Sequence, residues 1–128
     1  MRLLLDTHVF IWWADQQGSL SATALSALKD EANELLLSVA SVWEMQIKVQ
    51  LGKLKVSMPL QELVESQVET NELKILPVEL AHVLALDALP FHHKDPFDRL
   101  LIAQSIQEDV TLISADPAFP AYSVKLLQ

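Results

Sequence analysis

The strongest constraint on this chain is a set of short segments that are apolar at successive positions rather than at alternate ones. They are Leu3-Leu4-Leu5, Leu35-Leu36-Leu37-Ser38-Val39, Lys74-Ile75-Leu76-Pro77-Val78 and Thr111-Leu112-Ile113-Ser114. Side chains of a strand alternate between two faces, so an uninterrupted apolar run buries both faces and belongs in a parallel sheet covered by helices on each side. The intervening stretches carry helix signals. Thr7–Ala14 reads as a turn into a short helix bearing Phe10, Trp12 and Trp13, and Ser21–Asp30 as a second helix with Leu25 and Leu28 on one face. Ser41–Leu51 reads as a helix with Ser41 as its cap, Glu44 completing a capping box and Gly52 as its stop. Pro59–Thr70 places Leu60, Leu63, Val64 and Val68 at helical spacing behind a helix-starting proline, Gln67 alone interrupting the stripe. A short helix over Glu79–Leu86, a longer one over Pro96–Glu108 and an edge strand within Ser123–Leu127 complete the alternation. The pattern predicts a three-layer α/β/α sandwich around a mostly parallel sheet of four or five strands, joined by right-handed crossovers.

The 128 residues suit one domain, spanning 1–128, with a single core. Cysteine is absent, which excludes disulfides and thiolate metal sites and suits a reducing cytoplasm. The apolar run after Met1 and Arg2 is broken at Asp6, too early for a signal peptide or a membrane span, so a cytoplasmic location is expected. With 9 Lys+Arg against 17 Asp+Glu the formal net charge is −8. That sign is wrong for binding nucleic acid by diffuse basic attraction, so any contact with RNA needs local positive charge, from metal ions or from Lys48, Lys53 and Lys55.

Four carboxylates share one kind of position. Asp6 closes the first apolar run, Asp116 follows the run ending at Ser114, and Glu44 and Asp98 fall in the first turns of expected helices. In a parallel sheet the C-terminal ends of strands and the N-terminal ends of helices lie along one edge, so residues distant in sequence converge there, most readily where strand order reverses. Gathered anions repel one another unless a cation joins them. An all-oxygen ligand set without cysteine favours Mg²⁺ or Mn²⁺ over zinc, and hydrolysis of a phosphodiester is the chemistry such a site performs. The structural reading competes: Glu44 fits the Ser41 capping box, Asp98 follows an Asp95 cap with Pro96 first in its helix, and Asp116-Pro117 reads as a cap and helix start. Asp6, ending a strand, is expected to cap little.

Leu4-Leu5-Asp6-Thr7-His8, Ser38-Val39-Ala40-Ser41-Val42-Trp43-Glu44, Gly52-Lys53-Leu54, Asp95-Pro96-Phe97-Asp98-Arg99 through Ile102-Ala103-Gln104, and Leu112-Ile113-Ser114-Ala115-Asp116 occur in that order. In these segments, almost end to end, the chain resembles the VapC toxins of the PIN-domain family. The resemblance implies a metal-dependent endoribonuclease, the toxin of a toxin–antitoxin pair, dimeric and silenced by a VapB antitoxin. It carries the core acidic triad onto Asp6, Glu44 and Asp98 and the fourth acid onto Asp116. Thr7 takes the hydroxyl position after the first Asp, and Ser114 stands where many relatives have Thr.

Arg99 and Lys94 flank Asp98, and Arg99 is the better candidate for gripping a phosphate or an acid in two-pronged fashion. Lys48 follows Glu44 by one helical turn, an ordinary pairing. His8 is read as a local contact at a helix start, His92 and His93 as loop features before Asp95, and His82 as a helix-surface residue. The tryptophans are expected in the core or at interfaces, with Trp12 and Trp13 as candidates for a dimer or antitoxin surface. Two rival functions share the acidic pattern: a phosphoryl-transfer protein with Asp6 as acceptor, and a non-catalytic acidic α/β module that binds a partner protein through a sheet domain whose acids are only caps.

Overall fold

A computed structural model describes every residue from Met1 to Gln128. In chain order the elements are β1 (Arg2–Leu5), α1 (Thr7–Asp15), α2 (Ala22–Lys29), β2 (Glu34–Ser38), α3 (Val39–Gln50), α4 (Leu60–Asn71), β3 (Lys74–Leu76), α5 (Leu80–Leu84), α6 (Pro96–Glu108), β4 (Thr111–Ile113) and β5 (Leu126–Leu127). Single 3-10 turns occupy Gln17–Ser19, Ala85–Ala88 and Phe119–Ala121. The strands form one sheet in the order β3-β2-β1-β4-β5 with every neighbouring pair parallel. The chain winds outward from β1 to β3 and then returns to the other side of β1, so strand order reverses between β1 and β4.

Alternation along the strands divides the interior in two. Leu3, Leu5, Leu35, Leu37 and Ile113 join one core with Phe10 and Trp13 of α1, Leu28 of α2, Met45 of α3, and Leu60 and Leu63 of α4. Leu4, Leu36, Leu76 and Leu112 join the other, against Leu101 and Ile102 of α6 and against Phe119 and Tyr122. Two apolar faces covered by two helical layers give the three-layer sandwich that the uninterrupted runs demand. No helix is long and apolar enough to cross a membrane.

Three local expectations are corrected. Helix α3 starts at Val39, and its cap is Ser38, whose Oγ accepts the Ala40 N–H at 3.0 Å. Pairing of Leu37 with Leu5 and of Ser38 with Leu76 fixes where the strand ends, and the chain turns into helix immediately. Ser41 is therefore buried inside the helix with its hydroxyl unpartnered, and no Ser41–Glu44 capping box forms. His82 is buried rather than superficial, because its Nδ1 accepts the Glu79 backbone N–H at 2.9 Å and folds the ring back over the start of α5. Among the tryptophans only Trp13 is a core residue; Trp12 is half-buried against His8, and Trp43 stays 62% exposed with its ring edge-on to Phe97.

Candidate metal centre

The reversal point delivers the acids. Asp6 follows β1 directly, and Ser114 to Asp116 follow β4, its neighbour in the sheet. Helices α3 and α6 pack against each other and bring Glu44 and Asp98 to the same edge.

Asp6 is almost fully buried and, contrary to expectation, is a helix cap: its Oδ1 accepts the Val9 N–H of α1 at 2.7 Å. Its Oδ2 accepts the Ser114 hydroxyl. Burial nevertheless pushes the Asp6 carboxyl above the ordinary carboxylate range; the hydrogen bonds from Ser114 and Val9 and the nearby His8 pull the other way, and the charge of Asp116 adds to the rise. Each Asp6 oxygen accepts one hydrogen bond and keeps a second lone pair, so the two bonds orient the carboxylate without using up its acceptor capacity.

Glu44 lies in the second turn of α3, 4% exposed. The Thr7 hydroxyl donates to its Oε1 at 2.7 Å and Lys48 Nζ to its Oε2 at 2.9 Å, so the carboxylate is held from two sides. Asp98 occupies the first turn of α6 as the sequence predicts, with Asp95 Oδ1 accepting the Phe97 and Asp98 N–H groups at 2.8 and 3.1 Å and Pro96 opening the helix. Burial first, then the charges of Asp95, Glu44 and Asp116, push the Asp98 carboxyl up to about 7, with His93 opposing. Asp116 Oδ1 accepts the Ala118 N–H at 2.8 Å in a turn rather than at a regular helix start. Its backbone N–H donates to Ser114 Oγ at 3.0 Å, so one serine ties Asp116 to Asp6.

The four acids are thus one electrostatic group: Asp6 feels Asp116, and Asp98 feels Glu44 and Asp116. Lys48 is the only lysine or arginine in ion-pair contact with any of them. A hard cation fits this donor set, since the oxygens are plentiful and the positive charge is short.

Sequence reasoning missed His93. Its Nε2 lies 3.0 Å from Asp98 Oδ2 and 3.1 Å from Asp116 Oδ2, and ligand atoms of the three residues fall within 4.8 Å of one another. The available signal was its place two residues before the Asp95 cap, because a loop entering α6 runs along the same edge. Arg99 departs from expectation in the opposite sense. Its side chain is buried against the segment before α6 instead of pairing with an acid, donating to the carbonyls of Pro90 at 2.7 Å and Leu89 at 3.2 Å and to the Tyr122 hydroxyl at 3.4 Å, and lying 3.9 Å from the Phe91 ring centre. The reason is helical geometry: successive side chains on α6 diverge by about 100°, so Asp98 and Arg99 cannot both face the edge.

The relatives agree with this architecture. The chain is 28% identical to Ribonuclease VapC22 of Mycobacterium tuberculosis over 116 residues, covering 89% of this chain and 86% of the relative. Among solved structures it is similar to a chain of VapBC2 from Rickettsia felis bound to a promoter DNA fragment, with TM-score 0.75, 17% identity, and 99% and 98% of the two chains covered. FitAcB from Neisseria gonorrhoeae matches with TM-score 0.66 at 17% identity over 98% and 96% of the two chains. VapBC-5 of Mycobacterium tuberculosis, described as a toxin–antitoxin system, matches with TM-score 0.60 at 15% identity over 98% and 95%. The likenesses to the solved structures are of fold. The model of the PIN domain matches residues 3–125, nearly the whole length, and the chain belongs to the PIN-domain family.

Proposed function

We propose that this protein is an endoribonuclease dependent on Mg²⁺ or Mn²⁺, the toxin of a toxin–antitoxin pair, acting as a homodimer in the cytoplasm and silenced by a VapB-type antitoxin. The observation that carries the reading is the buried acidic group with too little positive charge around it, of which Asp98 at about 7 is the clearest sign. A structural set of helix caps has no reason to bury Glu44, which caps nothing, between a threonine hydroxyl and a lysine. The name of the M. tuberculosis relative supports the ribonuclease activity, and the titles of the solved neighbours support an antitoxin partner.

In this reading Asp6, Asp98 and Asp116 would hold the cation, directly or through water, and Glu44 would orient or deprotonate the attacking water. The cation, when bound, supplies Lewis-acid stabilisation of charge developing on the scissile phosphate. Thr7 and Ser114 position rather than react: one hydroxyl fixes Glu44, the other links Asp6 to the Asp116 loop. The test is cleavage of cellular RNA by purified protein with and without Mg²⁺ or Mn²⁺, with the ends sequenced, against Asp6→Asn. Loss of cleavage in a folded variant is expected. Metal-dependent cleavage persisting in Asp6→Asn rejects the assignment.

A further inference from the structure

His93 is held more firmly than a loop residue needs to be. Its backbone N–H donates to the Tyr122 hydroxyl at 2.8 Å, its ring lies 5.9 Å from that of Phe119, and its side chain is 17% exposed. The Asp95 backbone N–H donates to its Nδ1 at 3.1 Å. A ring nitrogen that accepts a hydrogen bond carries no hydrogen, so the hydrogen-bond network assigns the ring hydrogen to Nε2. Nε2–H therefore points at Asp98 Oδ2 and Asp116 Oδ2, 3.0 and 3.1 Å away, and is shared between them.

A histidine beside two carboxylates invites reading as a third metal ligand. The Asp95 amide argues against it. To bind a cation, Nε2 must give up its hydrogen, and a ring of the same charge then carries it on Nδ1, facing the Asp95 N–H as a second donor. Avoiding that clash means moving Asp95, whose carboxylate caps α6 and thereby sets Asp98. The arrangement that keeps every hydrogen bond is the one in which the imidazole donates.

From this geometry we infer that His93 is a placeholder, not a ligand: its Nε2–H holds the lone pairs of Asp98 and Asp116 that a divalent cation takes over, and it yields them when the cation enters. The inference rests on the cation-dependent reading of the site. It gives the protein a way to keep two repelling carboxylates aligned before the ion arrives, and it leaves the final ligand set all oxygen. An all-oxygen set retains a preference for hard ions such as Mg²⁺ and Mn²⁺, with no nitrogen to favour zinc or nickel.

The test uses the whole chain at about pH 8, where protons compete least for the acids. Calorimetric titration with Mg²⁺ and Mn²⁺ compares wild type with His93→Phe, which keeps a ring against Phe119 without either nitrogen, and with His93→Ala should the first fold poorly. Both variants are expected to bind the ions about tenfold more tightly, the worth of a charge-assisted hydrogen bond no longer displaced. They are also expected to melt at lower temperature without metal, with the deficit shrinking when ion is added. Nitrogen NMR of metal-free wild type should find the hydrogen on Nε2. Weaker or unchanged binding in the variants, or a hydrogen on Nδ1, overturns the placeholder while leaving the cation site intact. Wild type that binds neither ion overturns the cation reading itself, and this inference with it.

Discussion

The two edges of the sheet treat carboxylates in opposite ways. At the N-terminal edge Glu34, at the start of β2, sits 4.0 Å from Arg2 and 3.3 Å from Lys74, with about a third of its side chain in water. A cavity of about 650 Å³ opens there, lined by Lys29, Glu31, Glu69, Glu72 and other mainly polar residues, and both signs of charge are present. At the C-terminal edge Asp6, Glu44 and Asp98 are buried or nearly so, only Glu44 has a lysine or arginine partner, Lys48, and burial pushes Asp6 and Asp98 above the usual carboxylate range. Neither the number of acids nor a cavity marks the candidate site. Desolvation without matching counter-charge does, because it leaves free energy for a cation to recover.

The largest effect expected from this contrast is that of Asp98→Asn. Removing the charge should abolish cation binding and lower RNA cleavage by about a hundredfold or more, as loss of a metal ligand does. The same change should raise the melting temperature of the metal-free protein, because a carboxyl held near 7 is disfavoured as an anion at neutral pH. Activity lost together with stability gained is the signature; a variant that loses both breaks the contrast.

Next in size is the response to pH. Asp6 and Asp98 have folded-state pKa values above their unfolded ones, so the folded chain binds more protons between about pH 4 and 7 and stability falls as pH rises through that window. Urea unfolding with a chelator present should therefore give a lower midpoint at pH 8 than at pH 5. Added Mn²⁺ should recover more stability at pH 8 than at pH 5, since it competes with protons for the same oxygens. Asp98→Asn should flatten the metal-free profile. A midpoint that rises with pH contradicts the assigned shifts.

How far this site was legible in the sequence depended on whether each residue's role was local. The strands were legible because Leu3 to Leu5 and Leu35 to Leu37 could be buried only on two faces, and the Asp95–Pro96 start of α6 because cap and proline are adjacent in sequence. The start of α3 was misread because Ser38 and Ser41 both suit a cap, and pairing with β1 and β3, invisible from the sequence alone, chose between them. Asp6 looked free of capping duty because strand and helix were read apart, whereas they meet at that one residue. His93 and Arg99 were exchanged in importance for a related reason. Nearness to Asp98 in sequence favoured Arg99, but direction around α6 turns it away, and the loop bends His93 back.

A smaller effect is expected where the acidic edge meets its supports. Thr7→Val keeps the shape of a β-branched side chain at the start of α1 but removes the hydroxyl that donates to Glu44 Oε1. A buried acceptor left unpaired costs about 1–3 kcal/mol, so denaturant unfolding should show a loss in that range. Cleavage should fall about tenfold, through misplacement of Glu44 rather than loss of the cation. Thr7→Ser should restore most of both.

The smallest effect is reserved for the other edge. Glu34→Gln removes the carboxylate that lies between Arg2 and Lys74, both well exposed. Exposed pairs of long side chains contribute about 0.2–1 kcal/mol and are screened by salt, so the unfolding free energy should change by no more than about 0.5 kcal/mol, and less at high ionic strength. Ion affinity and RNA cleavage should match wild type, because nothing at this edge touches the acids that converge after β1 and β4. A Glu34→Gln protein that lost ion affinity would mean that charge at one edge governs the other across the sheet, and the separation between a solvated acidic edge and a desolvated one would no longer hold.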